Sequence, residues 1–536
     1  MGRSFSLFLL GTLAGFAALA LNFVLRLGGI AAYPPESALS GFLRVVPASV
    51  EEPMVQQFGD LAGHLGLIIA TIIAAAVYGV LLLLYDRYAS ARAASLGISR
   101  LEGLLALGFV PWFLFGVVLF PLDGDSFFGA ASPFAGGFTV FAFPFTLLLS
   151  QCTFAWAASL WYSPRSVTSA APVPLSRQNL SRREFLEKGT IGFFAVIGIF
   201  LSLGGVEQLF STPVQPTGGS QPVDLAGAPA IFSDPRLSAI IDSEVTPDAD
   251  FYRVAIDIFD PTVDASAWSL RVDGLVDVPK SFSLQDIQAL PGVSQYTTFE
   301  CISNELNGNL IGNAQWGGAK ISDVLASAGG VQPGANYVVF YSVDGYSVGI
   351  PLDKALEPDS LLAYSMNGQN LPVRHGYPLR GVIPGLYGMM SAKWVNRVSV
   401  ISSVYEGYWQ TRGWTNNAAI FTEAFIVLPS TSSASISQGR GSIIVAGYAF
   451  AGDRGVSKVE VSFDNGKTWD EAELKPPISD LTWALWAYKW TPAGPGEYQV
   501  IARATDGAGQ VQTSSVEGTF PNGATGYVSR TLQVTD

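Results

Sequence analysis

Two cysteines and two histidines in 536 residues narrow the redox and metal chemistry open to this chain. Cys152 lies within an apolar run and Cys301 deep in a polar region, a placement that argues against a disulfide pair. Cys301 is then the only thiol of the polar region. A thiolate is a soft, electron-donating ligand suited to a redox metal. Without context, a buried cysteine is more often an inert small hydrophobe. The histidines are His64 and His375. Haem b in a membrane bundle needs paired axial histidines, so a lone His64 argues against that cofactor. A formal net charge of −13 with no cluster of Lys and Arg argues against nucleic acid as a partner.

Around the polar-region thiol the chain reads Thr298-Phe299-Glu300-Cys301-Ile302-Ser303-Asn304. His375-Gly376-Tyr377-Pro378-Leu379-Arg380 and Gly388-Met389-Met390-Ser391-Ala392-Lys393-Trp394 follow, and Thr246-Pro247 with Phe251-Tyr252-Arg253 precede. In this order and spacing the motifs resemble those of the sulfite oxidase family of molybdenum enzymes, over about residues 236–536. The resemblance implies a molybdenum-molybdopterin cofactor, with Cys301 ligating the metal beside the pterin dithiolene. It also implies a cofactor-binding set of Phe251, Tyr252, Arg253, Ser342, His375, Arg380, Ser391, Ala392 and Lys393. The pterin tail ends in a phosphate, which Arg380 would meet with its planar fork and Lys393 as a point charge. His375 would donate to the pterin or its phosphate. Ser342 stands where family members place a small hydroxyl or acidic residue. Outside this motif set, His375 would read as a structural histidine, and Arg380 and Lys393 as surface charges. No haem-binding or flavin-binding motif is apparent, so electrons would pass to a separate electron-transfer protein or a quinone-linked partner.

Two departures bear on substrate. Sulfite oxidases follow the cysteine with Ala-Gly-Asn-Arg-Arg, whose second arginine helps bind sulfite; here Glu305 and Leu306 stand in the corresponding places. Trp414 follows Trp409-Gln410-Thr411-Arg412 where the family has an active-site tyrosine. Loss of a cationic clamp makes a small dianion an awkward substrate, unless Arg253 or Arg412 compensates. The implied reaction is therefore oxygen-atom transfer, with either a small oxyanion or a sulfoxide-type substrate.

These residues need elements to hold them and a compartment to work in. Overall content is 49% hydrophobic and 14% charged, but residues 1–210 carry most of the apolar runs. Runs at about 5–27, 65–84, 104–122, 138–161 and 191–210 are each long enough to cross a bilayer as a helix. Arginines follow the second and fourth runs, whereas the other connections are mainly acidic, which sets the N-terminus in the cytoplasm and the C-terminus outside. Ser181-Arg182-Arg183-Glu184-Phe185-Leu186-Glu187-Lys188 resembles a twin-arginine export signal, with Glu187 departing from the pattern. The plain alternative is a pair of arginines obeying the positive-inside rule. Recognition by the twin-arginine translocase implies export of a folded, cofactor-loaded domain.

Residues 211–235 are rich in Pro, Gly, Ser and Ala and read as a linker. Residues 236–425 mix strand-like pieces such as 337–341 with helix-like pieces such as 321–328, predicting an α+β domain, which the resemblance implies is the molybdopterin domain. From 430 to 536 short alternating strands predict an immunoglobulin-like β-sandwich, with Val459, Val461 and Phe463 facing inward and Asn465-Gly466 turning a hairpin. The family uses this domain for dimerisation, so a homodimer is open. The expected whole is a membrane-anchored, multi-domain, extracytoplasmic oxidoreductase. Its rival is a non-enzymatic membrane-anchored binding or assembly module on a degenerate molybdopterin fold.

Overall fold

The computed structural model describes residues 3–27, 33–45, 60–119, 139–162, 225–256, 260–431, 433–435 and 441–535. The chain separates into two compact units, built largely from residues 1–46 and 59–214 and from 215–256 and 260–536.

The first unit is helical. The first four expected runs coincide with the helices Arg3–Leu27, Asp60–Leu84, Arg100–Phe113 and Thr139–Ser159. Three stretches, Arg3–Arg26, Leu65–Ser95 and Arg100–Leu119, are long and apolar enough to cross a membrane. The twin-arginine segment and the run at 191–210 lie outside the described residues. A Cβ on Gly11 would come within 2.8 Å of the Gly79 backbone, so these glycines let two helices approach closely. The helix Arg100–Phe113 starts on a capping box, Ser99 with Glu102. Just beyond Pro111, which cannot donate a backbone hydrogen bond, it passes into a π-helical turn at Leu114–Leu119. Among the described residues, ion pairs join Arg3 to the buried Asp86 at 2.6 Å and Arg26 to Glu36 at 3.0 Å.

Among the described residues, the second unit contains four sheets. One runs in the order Lys280–Phe282, Leu270–Gly274, Val395–Ile401, Tyr337–Ser342, Ser347–Pro351. The pairing of Leu270–Gly274 with Val395–Ile401 is parallel, and the other three are antiparallel. Another runs Gly292–Glu300, Ile311–Lys320, Leu361–Met366, Gln369–Asn370, with Arg380–Val382 also paired to Leu361–Met366. The helix Ile321–Ala326 leads directly out of Ile311–Lys320. This mixture matches the expected α+β architecture.

Beyond it, the four-stranded sheet Glu423–Leu428, Ile443–Phe450, Ala484–Trp490, Glu473–Leu474 shares one core with the five-stranded sheet that contains Val456–Ser462, Gly496–Asp506 and Val528–Thr535. Val459 and Val461 point into that core, as their alternation predicts. The four-stranded sheet is apolar on both faces. Ile443 and Val445 join the sandwich core, whereas Ile444 and Ala446 join the larger core with Trp414 and Tyr387. The sandwich is thus fused to the preceding domain through an apolar face. Residues 230–237, at the end of the expected linker and just past it, form short 3-10 turns whose Phe232 and Leu237 also enter the larger core.

Candidate functional site

Cys301 follows the strand Gly292–Glu300, and its N–H donates to the Leu310 carbonyl at 2.9 Å. The connection back to Ile311–Lys320 is held by Asn304. Its amide donates to Glu300 Oε1 at 2.9 Å, and its Oδ1 accepts from Leu310 N at 2.9 Å. The thiol is buried.

Alternation along this strand separates two environments. Thr298 and Glu300 face the sandwich: Trp483 N donates to Thr298 Oγ1 at 3.0 Å, and Glu300 lies against Glu423. Phe299 faces the other way, into a cluster with Phe251, Trp316, Ala363 and Val382. Arg380 crowns that cluster, its guanidinium carbon 4.8 Å from the Phe299 ring centre and 4.7 Å from that of Trp316. Strand pairing of Arg380 with Ala363 puts it there.

Arg380 is 5% exposed. Among the described residues its hydrogen bonds go to the carbonyls of Gly381, His375 and Ser391. Burial pulls it down to about 10. Lys393 donates to the Arg374 carbonyl at 3.5 Å and lies 4.3 Å from the Trp394 ring centre. Burial, then the nearby Arg253, pulls it down to about 7. His375 is pulled down to about 3 by burial, and Arg380 and Lys393 push the same way. Its Nε2 lies 2.8 Å from the Asp248 carbonyl. That bond requires the proton on Nε2, which leaves Nδ1 of the neutral ring an acceptor rather than the donor expected.

The remaining expected residues converge on the same place. Phe251 stacks on Tyr252 at 5.4 Å and meets His375 edge-on at 5.6 Å. Desolvation pushes the Tyr252 hydroxyl well up, and Cys301 adds to the shift. Arg253 pairs with Asp260 at 2.7 Å. Ser391 Oγ accepts from Ile383 N at 3.1 Å, and the Ala392 carbonyl accepts from Gly381 N at 2.8 Å. Ser342 ends its strand beside this segment, since Val343 N donates to the Trp394 carbonyl. Its Oγ is buried and has no hydrogen-bond partner among the described residues.

The donor set suits a molybdopterin. Unbalanced buried cations await an anion, an orphaned hydroxyl awaits a polar partner, and a soft thiol stands close by. Sequence reasoning missed the tyrosines around the thiol. Tyr346 and Tyr387 both lie within electrostatic reach of Cys301, and the Tyr346 hydroxyl donates to the Met389 carbonyl at 2.5 Å. It also missed Asp344, which burial pushes up to about 6, and the Glu300–Glu423 pair. Glu300 sits in a recognised motif, but nothing in the sequence announces its distant partner.

Family comparisons agree with this geometry. The family described as "Oxidoreductase molybdopterin binding domain" matches residues 258–409, and "Mo-co oxidoreductase dimerisation domain" matches 409–520. The sulfite oxidase of Arabidopsis thaliana is 32% identical over 342 residues, covering 53% of this chain and 86% of that protein. The mitochondrial sulfite oxidase of Rattus norvegicus is 32% identical over 329 residues, covering 53% of this chain but only 60% of that protein. Among solved structures, the sulfane dehydrogenase SoxCD of Paracoccus pantotrophus covers 55% of this chain and 84% of its own at 23% identity and a TM-score of 0.48, too slight a likeness to build on.

Proposed function

Because this chain belongs to the sulfite oxidase family of molybdopterin-dependent oxidoreductases, we propose that it is a membrane-anchored, extracytoplasmic oxygen-atom-transfer enzyme. The carrying observation is the buried Arg380 and partly buried Lys393, grouped with the neutral His375 beside the buried Cys301. A molybdenum-molybdopterin cofactor, when bound, supplies two-electron oxygen-atom transfer. Cys301 would ligate the metal, while Arg380 and Lys393 would hold the phosphate. The apolar floor of Phe251, Phe299 and Trp316 keeps water away and strengthens these charge contacts. Tyr252 keeps its proton at neutral pH and so presents a hydroxyl donor near the thiol, whereas the Tyr346 hydroxyl is spent on the Met389 carbonyl.

The apolar helices supply the anchor, with the N-terminus inside and five spans in all. Residues 181–188 serve the twin-arginine translocase. Electrons pass to a separate electron-transfer protein or quinone-linked partner. The match to a dimerisation domain supports a homodimer through the sandwich, which we assign to the immunoglobulin-like class.

The test is molybdenum content per chain in membranes of a twin-arginine-competent host, for wild type and Cys301→Ser. About one molybdenum per wild-type chain is expected. Oxygen-atom transfer should fall by at least two orders of magnitude in the variant. A folded wild type lacking both metal and pterin, with cofactor supply intact, would leave the binding-module alternative in its place.

A further inference from the structure

If the active site takes an oxygen-bearing substrate, something in it must replace the sulfite-binding arginine whose place Leu306 occupies. Leu306 itself does not do so, because it packs against the sandwich core. Trp414, in the tyrosine's place, is buried edge-on against Phe520 at 5.1 Å. Of the two arginines the sequence leaves as substitutes, Arg253 is balanced by Asp260 at 2.7 Å and lies beside Lys393, among the cofactor-holding cations.

Arg412 differs in each respect. It ends the 3-10 turn Gln410–Arg412. Its guanidinium carbon lies 3.5 Å from the Tyr408 ring centre, and Nη1 donates to the Tyr408 carbonyl at 2.7 Å. Stack and hydrogen bond fix the orientation of the fork. Yet Arg412 Nε is buried with no hydrogen-bond partner among the described residues. The same turn carries a second orphan, Gln410 Oε1, while Gln410 Nε2 reaches Met390 Sδ at 3.5 Å. Contacts connect the turn to the thiol. The Tyr408 ring lies 5.9 Å from that of Tyr346, whose hydroxyl bonds the Met389 carbonyl and which lies within electrostatic reach of Cys301.

We propose that Arg412 is the substrate-binding cation of this site, donating from Nε to an oxygen bonded to the substrate's sulfur. This rests on the oxygen-atom-transfer reading above. A buried, pre-oriented donor with an empty valence suits an S–O oxygen, whether of an oxyanion or of a neutral sulfoxide. Tyr408 is a positioning residue that holds the fork.

The test uses full-length, molybdenum-loaded protein with sulfite and dimethyl sulfoxide as probes, each assayed with an artificial electron dye. Wild type, Arg412→Gln and Arg412→Lys are compared. Loss of one hydrogen bond from a charged group is worth roughly tenfold or more in affinity. We therefore expect KM for the accepted probe to rise about tenfold or more in Arg412→Gln, with kcat changed far less and molybdenum content unaltered. Arg412→Lys, which keeps charge but not the fork, should fall between. A rise confined to sulfite, with weaker competition by inorganic sulfate, identifies an oxyanion site; a rise confined to dimethyl sulfoxide identifies a neutral one. Unchanged KM for both probes, a loss confined to kcat or molybdenum, or a loaded wild type that neither binds nor turns over either probe overturns the assignment. A wild type without molybdenum instead removes the functional reading and this assignment with it.

Discussion

The two faces of the strand Gly292–Glu300 handle buried charge in opposite ways. On the Phe299 face, Arg380 and Lys393 are cations whose hydrogen bonds among the described residues go to carbonyls. On the Glu300 face, Glu300 and Glu423 are carboxylic acids with one oxygen each lacking a partner among the described residues. Burial raises both, and Glu300 makes Glu423 harder still to ionise. A carboxyl pair can relieve itself by keeping a proton. An arginine cannot shed its proton at any ordinary pH, so its relief has to come from outside. One face is therefore complete as folded, and the other waits for an anion.

Arg380→Met should separate the two faces most sharply. In the loaded enzyme it should lower molybdenum per chain at least tenfold, since a buried bidentate phosphate contact is lost. In cofactor-free protein the same change should cost little or even stabilise, because it replaces an unbalanced buried charge with an apolar chain. Metal analysis and thermal unfolding of both forms provide the readout. Equal destabilisation with and without cofactor would mean that Arg380 is merely structural.

Glu423→Gln probes the opposite face and should have a smaller effect. A carboxyl raised in the folded state favours folding below its ordinary value near 4.5, and that contribution is lost as pH climbs through the raised one. The variant should thus gain on wild type as the pH is raised from about 5 to 8. A flat difference across that range would dissolve the pair.

Lys393→Met should show the reverse slope. A lysine lowered to about 7 from 10.5 burdens the cofactor-free fold most below about pH 7, and the burden lifts as pH rises toward 10.5. Its substitution should therefore help cofactor-free protein at pH 6 and lose that advantage by pH 10. With cofactor bound, the phosphate should abolish the difference.

Much of this site is legible in the chain because its residues lie in short motifs. Cys301 directly follows a strand, His375 ends a 3-10 turn five residues before Arg380 opens a strand, and Ser391 to Lys393 are consecutive. The helices of the first unit announce themselves through uninterrupted apolar runs, and the strands around Val459 through alternation. Other features have no local signature. Glu423 meets Glu300 only because the sandwich docks against the edge of the thiol's strand. Arg412 is one arginine among many until Tyr408 stacks beneath it. The His375 tautomer is decided by the Asp248 carbonyl, a backbone atom that any residue would carry.

Sequence alone determined which donors this protein owns: one soft thiol, a few ordered cations, and apolar segments long enough for a membrane. Those follow from residue type and short-range spacing, where covalent geometry dictates which side chains share a face. Tertiary structure decided which charges are balanced and which are left open, including Arg253 against Asp260, Glu300 against Glu423, and Arg412 Nε against nothing described. Balance depends on desolvation and on partners brought together from distant parts of the chain, and both exist only once the sheets have packed.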